Sequence, residues 1–166
     1  MSEAKFKTMR HIETVRNYLN WCIRELLARA ENHDQTKLQS PEAEAFEKYT
    51  ERLRGLTYGT PEYYENLKGI EPATKHHYEY NSHHPEHFTQ GIDGMSLFDV
   101  MEMLCDWKAA GMRHEDGCLI RSINHNKERY GIETQLYHIL MNTAEILEAF
   151  PVYHRAEDSW KSGSIF

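Results

Sequence analysis

Eleven histidines stand in this 166-residue chain, and five of them, His76, His77, His83, His84 and His87, fall within one short stretch. Imidazole and carboxylate are the side chains that bind borderline divalent metals without thiolate. The order along the chain suits that chemistry: His11, the adjacent pair His33-Asp34, the histidine-rich stretch, then Asp106. Helical periodicity puts each of these on the core side, and a buried carboxylate is costly unless it is paired or ligates a metal. His11, His33, Asp34 and Asp106 are therefore the candidate ligands of one divalent ion. Asp34 and Lys37 are the catalytic candidates: Asp34 to ligate the ion and orient its water, Lys37 to offset negative charge as it develops.

Seven residues make two helical turns, so on one continuous helix His76 and His83 share a face, as do His77 and His84. The two faces diverge, and only one pair can meet a single centre. The reading favours His76 and His83 for a second ion, with His77 and His84 behind them or touching substrate. Arg121, Lys127 and Arg129 are candidate phosphate contacts, because arginine in particular binds phosphate bidentately. Asn124 and Tyr130 are candidate base or sugar contacts. His87, His114, His125, His138 and His154 keep no company that suggests ligation.

The elements that must position these groups read as helices nearly throughout. Ile12, Val15, Leu19, Cys22, Ile23, Leu26, Leu27 and Ala30 recur at three- and four-residue spacing, predicting a long helix from Thr8 to Ala30. Ser40-Pro41 and Thr60-Pro61 are start signals, with a hydroxyl to cap and a proline for the first turn. They predict helices from Pro41 to about Leu53 and from Thr60 to Gly69, with a loop over 55–59 between them. Pro72 predicts a fresh helix that carries both His-His pairs and ends at Pro85. Residues 85–95 read as a loop. Ser96-Leu97-Phe98-Asp99 resembles a capping box and opens a helix to about Ala110 that sets Asp99, Met103 and Asp106 on one face. Two more helices follow, about 117–130 and 133–149, the first ending at Gly131. The expectation is one all-α domain over 1–150, a compact bundle of six or seven helices, and a loosely held tail over 151–166.

Composition narrows the partners. The net charge is -7, which disfavours a duplex-DNA surface. Residues 1–30 carry six basic and three acidic side chains, whereas residues 31–106 carry six and fifteen. The acidic segment also holds most of the candidate ligands, as a cation site requires. Cys22, Cys105 and Cys118 are odd in number and far apart, which reads as three reduced thiols. No run is long and apolar enough for a membrane helix, and Met1 to Arg10 lacks the apolar core of a signal peptide, so a cytoplasmic protein without a membrane partner is expected. There is no Walker loop and no GxGxxG.

The order His, His-Asp, Asp on helices resembles the HD-domain superfamily of metal-dependent phosphohydrolases. The resemblance implies that His11, His33, Asp34 and Asp106 hold one metal, and His33-Asp34-Gln35-Thr36-Lys37 matches the usual His-Asp-x-x-Lys form. Members with two metals add histidines in the interval where His76, His77, His83 and His84 lie. Over roughly 10–150 the chain is also similar to an uncharacterised family of bacterial and phage proteins. Its members share a His-Asp-x-Ser-Lys segment, two His-His pairs separated by five residues, and an acidic helix ending in Cys-Asp-Trp. Here these are His33 to Lys37 (with Thr36 in place of Ser), His76-His77 with His83-His84, and Glu102 to Trp107. Pro85 stands where an aromatic is common.

The superfamily resemblance implies hydrolysis of a phosphate ester, a nucleotide mono- or triphosphate above all, by water on one or two ions of Mn, Co, Ni, Zn or Fe. It also implies an alternative, a di-iron oxygenase on the same ligands; a reading from another class is a phage factor that binds a nucleotide or host protein without turnover. Homo-oligomers are common among small proteins of this kind.

Overall fold

The computed structural model describes residues 1–54, 60–112 and 117–149. The Ser2 hydroxyl accepts the Lys5 amide at 3.3 Å and so caps the first helix, α1 (Glu3–Asn32). At 1.5 Å per residue α1 is about 45 Å long. Its last three turns lie against the rest of the chain, with Cys22, Glu25, Leu26 and Arg29 half-buried, while every residue before Cys22 is exposed. Trp21 stands half-exposed with its edge toward Phe98 at 5.7 Å.

After α1 the chain turns sharply at Asp34, whose φ of 57° is left-handed. Aspartate tolerates that region better than most residues, and such strain of about 1 kcal/mol persists where surrounding contacts hold it. A 3-10 turn, Gln35–Leu38, leads to α2 (Glu42–Arg54), which packs on α3 (Pro61–Tyr80). The two helices come so close that a Cβ on Gly69 would run into the Tyr49 ring.

The local signals mislead twice along α3. Gly69 and Pro72 predict a break, yet the helix runs through both. A proline removes one backbone donor, and packing on α2 outweighs that loss. The helix then ends at Tyr80, short of the predicted Pro85. The Asn81 side chain donates to the His77 carbonyl oxygen at 2.8 Å, a carbonyl that its own amide also uses. Pro85 holds His84 extended, at φ -98° and ψ 128°, which no helix allows. His83 and His84 therefore sit on a turn, free of the helical register of His76 and His77.

The capping box is present as read. The Ser96 amide donates to Asp99 Oδ2 at 2.8 Å and the Asp99 amide donates to Ser96 Oγ at 3.3 Å, opening α4 (Leu97–Gly111). The chain divides into two compact units, Met1–Asp106 and Trp107–Phe166. In the second, α5 (Leu119–Arg129) and α6 (Thr134–Ala149) enclose Leu119, Ile123, Ile132, Leu140 and Ala144. Gly131, at φ +63°, ends α5: its amide donates to the Glu128 carbonyl and the Ile132 amide to that of Lys127. Among the described residues there is no strand, and no helix is long and apolar enough to cross a membrane. The predicted loop over 55–59, His114, and the tail from 151 with His154 lie outside the described residues.

Candidate metal centre

Everything in the centre belongs to the first unit. The end of α1 and the turn after it supply His33, Asp34 and Lys37. The end of α3 and its following turn supply His77, His83 and His84, and α4 supplies Glu102 and Asp106. Asp34 stands in the middle. Its Oδ1 lies 3.3 Å from His77 Nε2 and 3.5 Å from His83 Nε2, and its Oδ2 lies 3.6 Å from His33 Nε2. His77 Nε2 meets His84 Nε2 at 2.9 Å, and His33 Nε2 lies 3.8 Å from an Asp106 oxygen. Among the described residues three overlapping groups emerge: Asp34 with His77, His83 and His84; His33 with Asp34 and Asp106; and His33 with His83 and Glu102. Within each, one donor atom per residue lies within 4.8 Å of the others. Asp34 belongs to the first two.

Two carboxylates behind the rings explain why the Nε2 atoms converge. Glu102 Oε1 takes Nδ1 of His33 at 2.9 Å and Nδ1 of His83 at 3.2 Å. Glu42, with no exposed surface, takes Nδ1 of His77 at 2.9 Å and Nδ1 of His76 at 2.7 Å. A neutral imidazole that donates through Nδ1 presents a lone pair on Nε2, the arrangement in which histidine ligates metals. Glu102 is itself fixed by Arg29, at 3.0 Å, and Arg29 also binds Asp99 at 2.8 Å. Asp99 in turn accepts from Ser82 Oγ at 2.6 Å.

The charges are arranged accordingly. Asp106, and after it Glu102, hold the His33 imidazolium up to about 10 against the opposing effect of burial. Burial pushes the Asp34 carboxyl up, but the nearby His77 ring and the hydrogen bond and charge of Lys37 outweigh it and keep the group well below the usual carboxylate range. Glu102 follows the same logic, with His33, His83 and Arg29 overcoming its burial, and so does Asp106 through His33. His84 is pushed down to about 3 by burial first and then by the neighbouring His83 and His77 rings, so it stays neutral.

The residues present fit a divalent cation. Asp34 Oδ1 and His83 Nε2 are fully buried and have no hydrogen-bond partner, although they face each other across 3.5 Å. Buried polar atoms are almost always satisfied, and a bound ion is one of the few explanations when they are not. The donors are nitrogen and oxygen without thiolate, a set suited to Mn, Co, Ni, Zn or Fe rather than to a soft ion.

Most of the predicted set is brought together: His33, Asp34, Asp106, Lys37, His77, His83 and His84. The Lys37 ammonium lies 2.6 Å from Asp34 Oδ2. Two assignments are corrected. His11 is exposed, and its 22-residue separation from His33 along α1 amounts to roughly 33 Å. It contributes nothing to this centre. His76 gives its Nδ1 to Glu42 and belongs to none of the donor groups, so the preferred pair His76 and His83 gives way to His77, His83 and His84. The cause is the early end of α3, which removes the shared register on which the pairing rested. Arg121, Lys127 and Arg129 lie on α5 in the second unit, where Lys127 stands over the Tyr137 ring at 4.1 Å and Arg129 over Tyr130 at 4.8 Å. Asn124 accepts from the Tyr137 hydroxyl, and Tyr130 stacks on Trp107. Glu42, Glu102 and Arg29 escaped the sequence reading as site residues.

Fold and site define an all-helical protein with a partly buried cluster of histidines and carboxylates around one central aspartate. The chain belongs to DUF5662, a family of unknown function, whose family model matches residues 1–150. Comparison with curated proteins and with solved structures gave no match.

Proposed function

We propose that the protein is a metal-dependent phosphohydrolase that cleaves a phosphate ester, with a nucleotide as the substrate class that its resemblance to small HD-domain proteins favours. The observation that carries this reading is the convergence of His33, His77 and His83 Nε2 on Asp34, with Asp34 Oδ1 and His83 Nε2 left unpartnered. A divalent ion held there would bring the pKa of a bound water toward neutrality and polarise a phosphoryl oxygen. Asp34 can reach both donor groups, so one or two ions would be held through it, with His77, His83 and His84 on one side and His33 and Asp106 on the other.

The two sides differ in access. His77 and His83 are buried, while His33, Asp34, Lys37 and Asp106 are each partly exposed. A catalytic metal site keeps an open position for water and substrate, and a structural one is closed. The phosphate is therefore expected to enter on the side of Lys37 and Asp106. There the Lys37 ammonium offsets the charge that grows on the phosphoryl oxygens, and the Asp34 carboxylate orients the attacking water.

The test is release of inorganic phosphate from a panel of nucleotides and simple phosphate esters, with Mn, Co, Ni, Zn or Fe supplied in turn. Turnover with at least one pair, abolished by Asp34→Ala, is the expected result. A protein that binds metal yet turns over nothing, or that consumes dioxygen with two irons, would overturn hydrolysis.

A further inference from the structure

We infer that α1 pairs with the α1 of a second copy of this chain, antiparallel, to make a homodimer. Along its 30 residues α1 has not one buried side chain. Met9, Ile12, Val15, Leu19, Ile23 and Leu27 fall within about a third of its circumference and are 42% to 59% exposed. Near the C-terminal end this stripe lies beside the face that Cys22, Leu26 and Arg29 turn toward the first unit, so that contact leaves it uncovered. Arg16 and Lys5 fall within the same arc, but the stripe is otherwise apolar, and an exposed apolar surface of that size is uncommon on a monomer and marks an interaction surface.

Area and charge both point to a second copy as the occupant. Six half-exposed apolar side chains with their flanking stems offer on the order of 500–800 Å² per chain, enough for two copies to clear the roughly 1,000 Å² of a specific interface. Glu13, Arg24 and Glu31 share one flank of the stripe, being eleven and seven residues apart. A two-fold axis near Tyr18 sets Met9 against Leu27 of the second copy and Glu13 against Arg24. An isologous contact of this kind is self-complementary. A parallel pairing would instead put Arg16 beside Arg16 and Lys5 beside Lys5. Glu13 pairs with Arg16 of its own chain in an exposed contact at 2.7 Å that is worth little and easily exchanged.

The experiment is light scattering coupled to size exclusion on the full chain. The expected mass is that of a dimer. Leu19→Glu is expected to give a monomer with unchanged helicity by circular dichroism, since that side chain is exposed. Glu13→Arg and Arg24→Glu are each expected to weaken the dimer at least tenfold, and together to restore it. A wild-type monomer would overturn the inference, as would a dimer untouched by Leu19→Glu. Failure of the charge pair to rescue would overturn the antiparallel register.

Discussion

Replacing Glu102 with glutamine tests the role of the carboxylate behind the rings. Glu102 meets His33 and His83 at Nδ1, away from the Nε2 atoms that converge on Asp34, and it also takes the Arg29 guanidinium, at 2.9, 3.2 and 3.0 Å. Glutamine keeps the shape but presents one neutral oxygen, and its amide hydrogens oppose the ring N–H groups. Both rings then lose the constraint that turns Nε2 toward Asp34. Loss of such an outer partner costs 10–100-fold in metal affinity, or about 1.4–2.7 kcal/mol. Stability falls as well, by about 1–3 kcal/mol, because Arg29 keeps Asp99 and Glu25 and is not left stranded. Competition against a metal-sensitive dye measures the affinity, and thermal unfolding without metal measures the stability. Asp99→Asn is the control, since Asp99 contacts Arg29, Ser82 and Ser96 but no histidine. It is expected to lose stability while its metal affinity stays within about threefold of wild type. Wild-type affinity in Glu102→Gln, or an equal loss in Asp99→Asn, would refute the reasoning.

Three further outcomes are expected. His84→Ala should lower metal content or affinity by at least tenfold, while His11→Ala should leave both unchanged, as elemental analysis and the dye titration would report. Metal binding between pH 7 and 9 should release close to one proton, because His33 holds its proton up to about 10 when no ion is present and must surrender Nε2 to ligate. Affinity should therefore climb with pH toward that value. In the metal-free protein the same group works the other way: its contribution to stability is complete below its unfolded pKa and is lost as pH rises through about 10. Calorimetry in buffers of different ionisation enthalpy counts the protons. Gly131→Ala should cost about 1 kcal/mol, the penalty of a side chain at positive φ, read as a lower midpoint in chemical denaturation.

The candidate site was legible in the sequence where it is written in residue type. The His-Asp pair, three of the four doubled histidines and Asp106 are brought together by the fold, and the Ser96 box and Gly131 cap name two helix ends. What stayed hidden depends on tertiary context. The periodicity of α1 reveals an apolar stripe but says nothing of what covers it, and that is how an exposed His11 was read as core-facing. Pro72 looks like a helix start in any local window, and only packing on α2 carries α3 through it. The turn at 81–84 then breaks the two-turn register on which the preference for His76 rested. Glu42 looks like an ordinary acid in a first helical turn, although it is buried against two histidines. Glu102 left a fainter signal: it lies three residues after Asp99 and four before Asp106, completing an acidic stripe on one face of α4.

The most direct test is the metal content of the purified protein. Mass-spectrometric elemental analysis is expected to find one or two equivalents of a first-row divalent metal per chain, and chelation should lower the unfolding temperature by several degrees. Protein with no bound metal, no gain of stability on adding Mn, Co, Ni, Zn or Fe, and no change in Asp34→Ala would contradict the account.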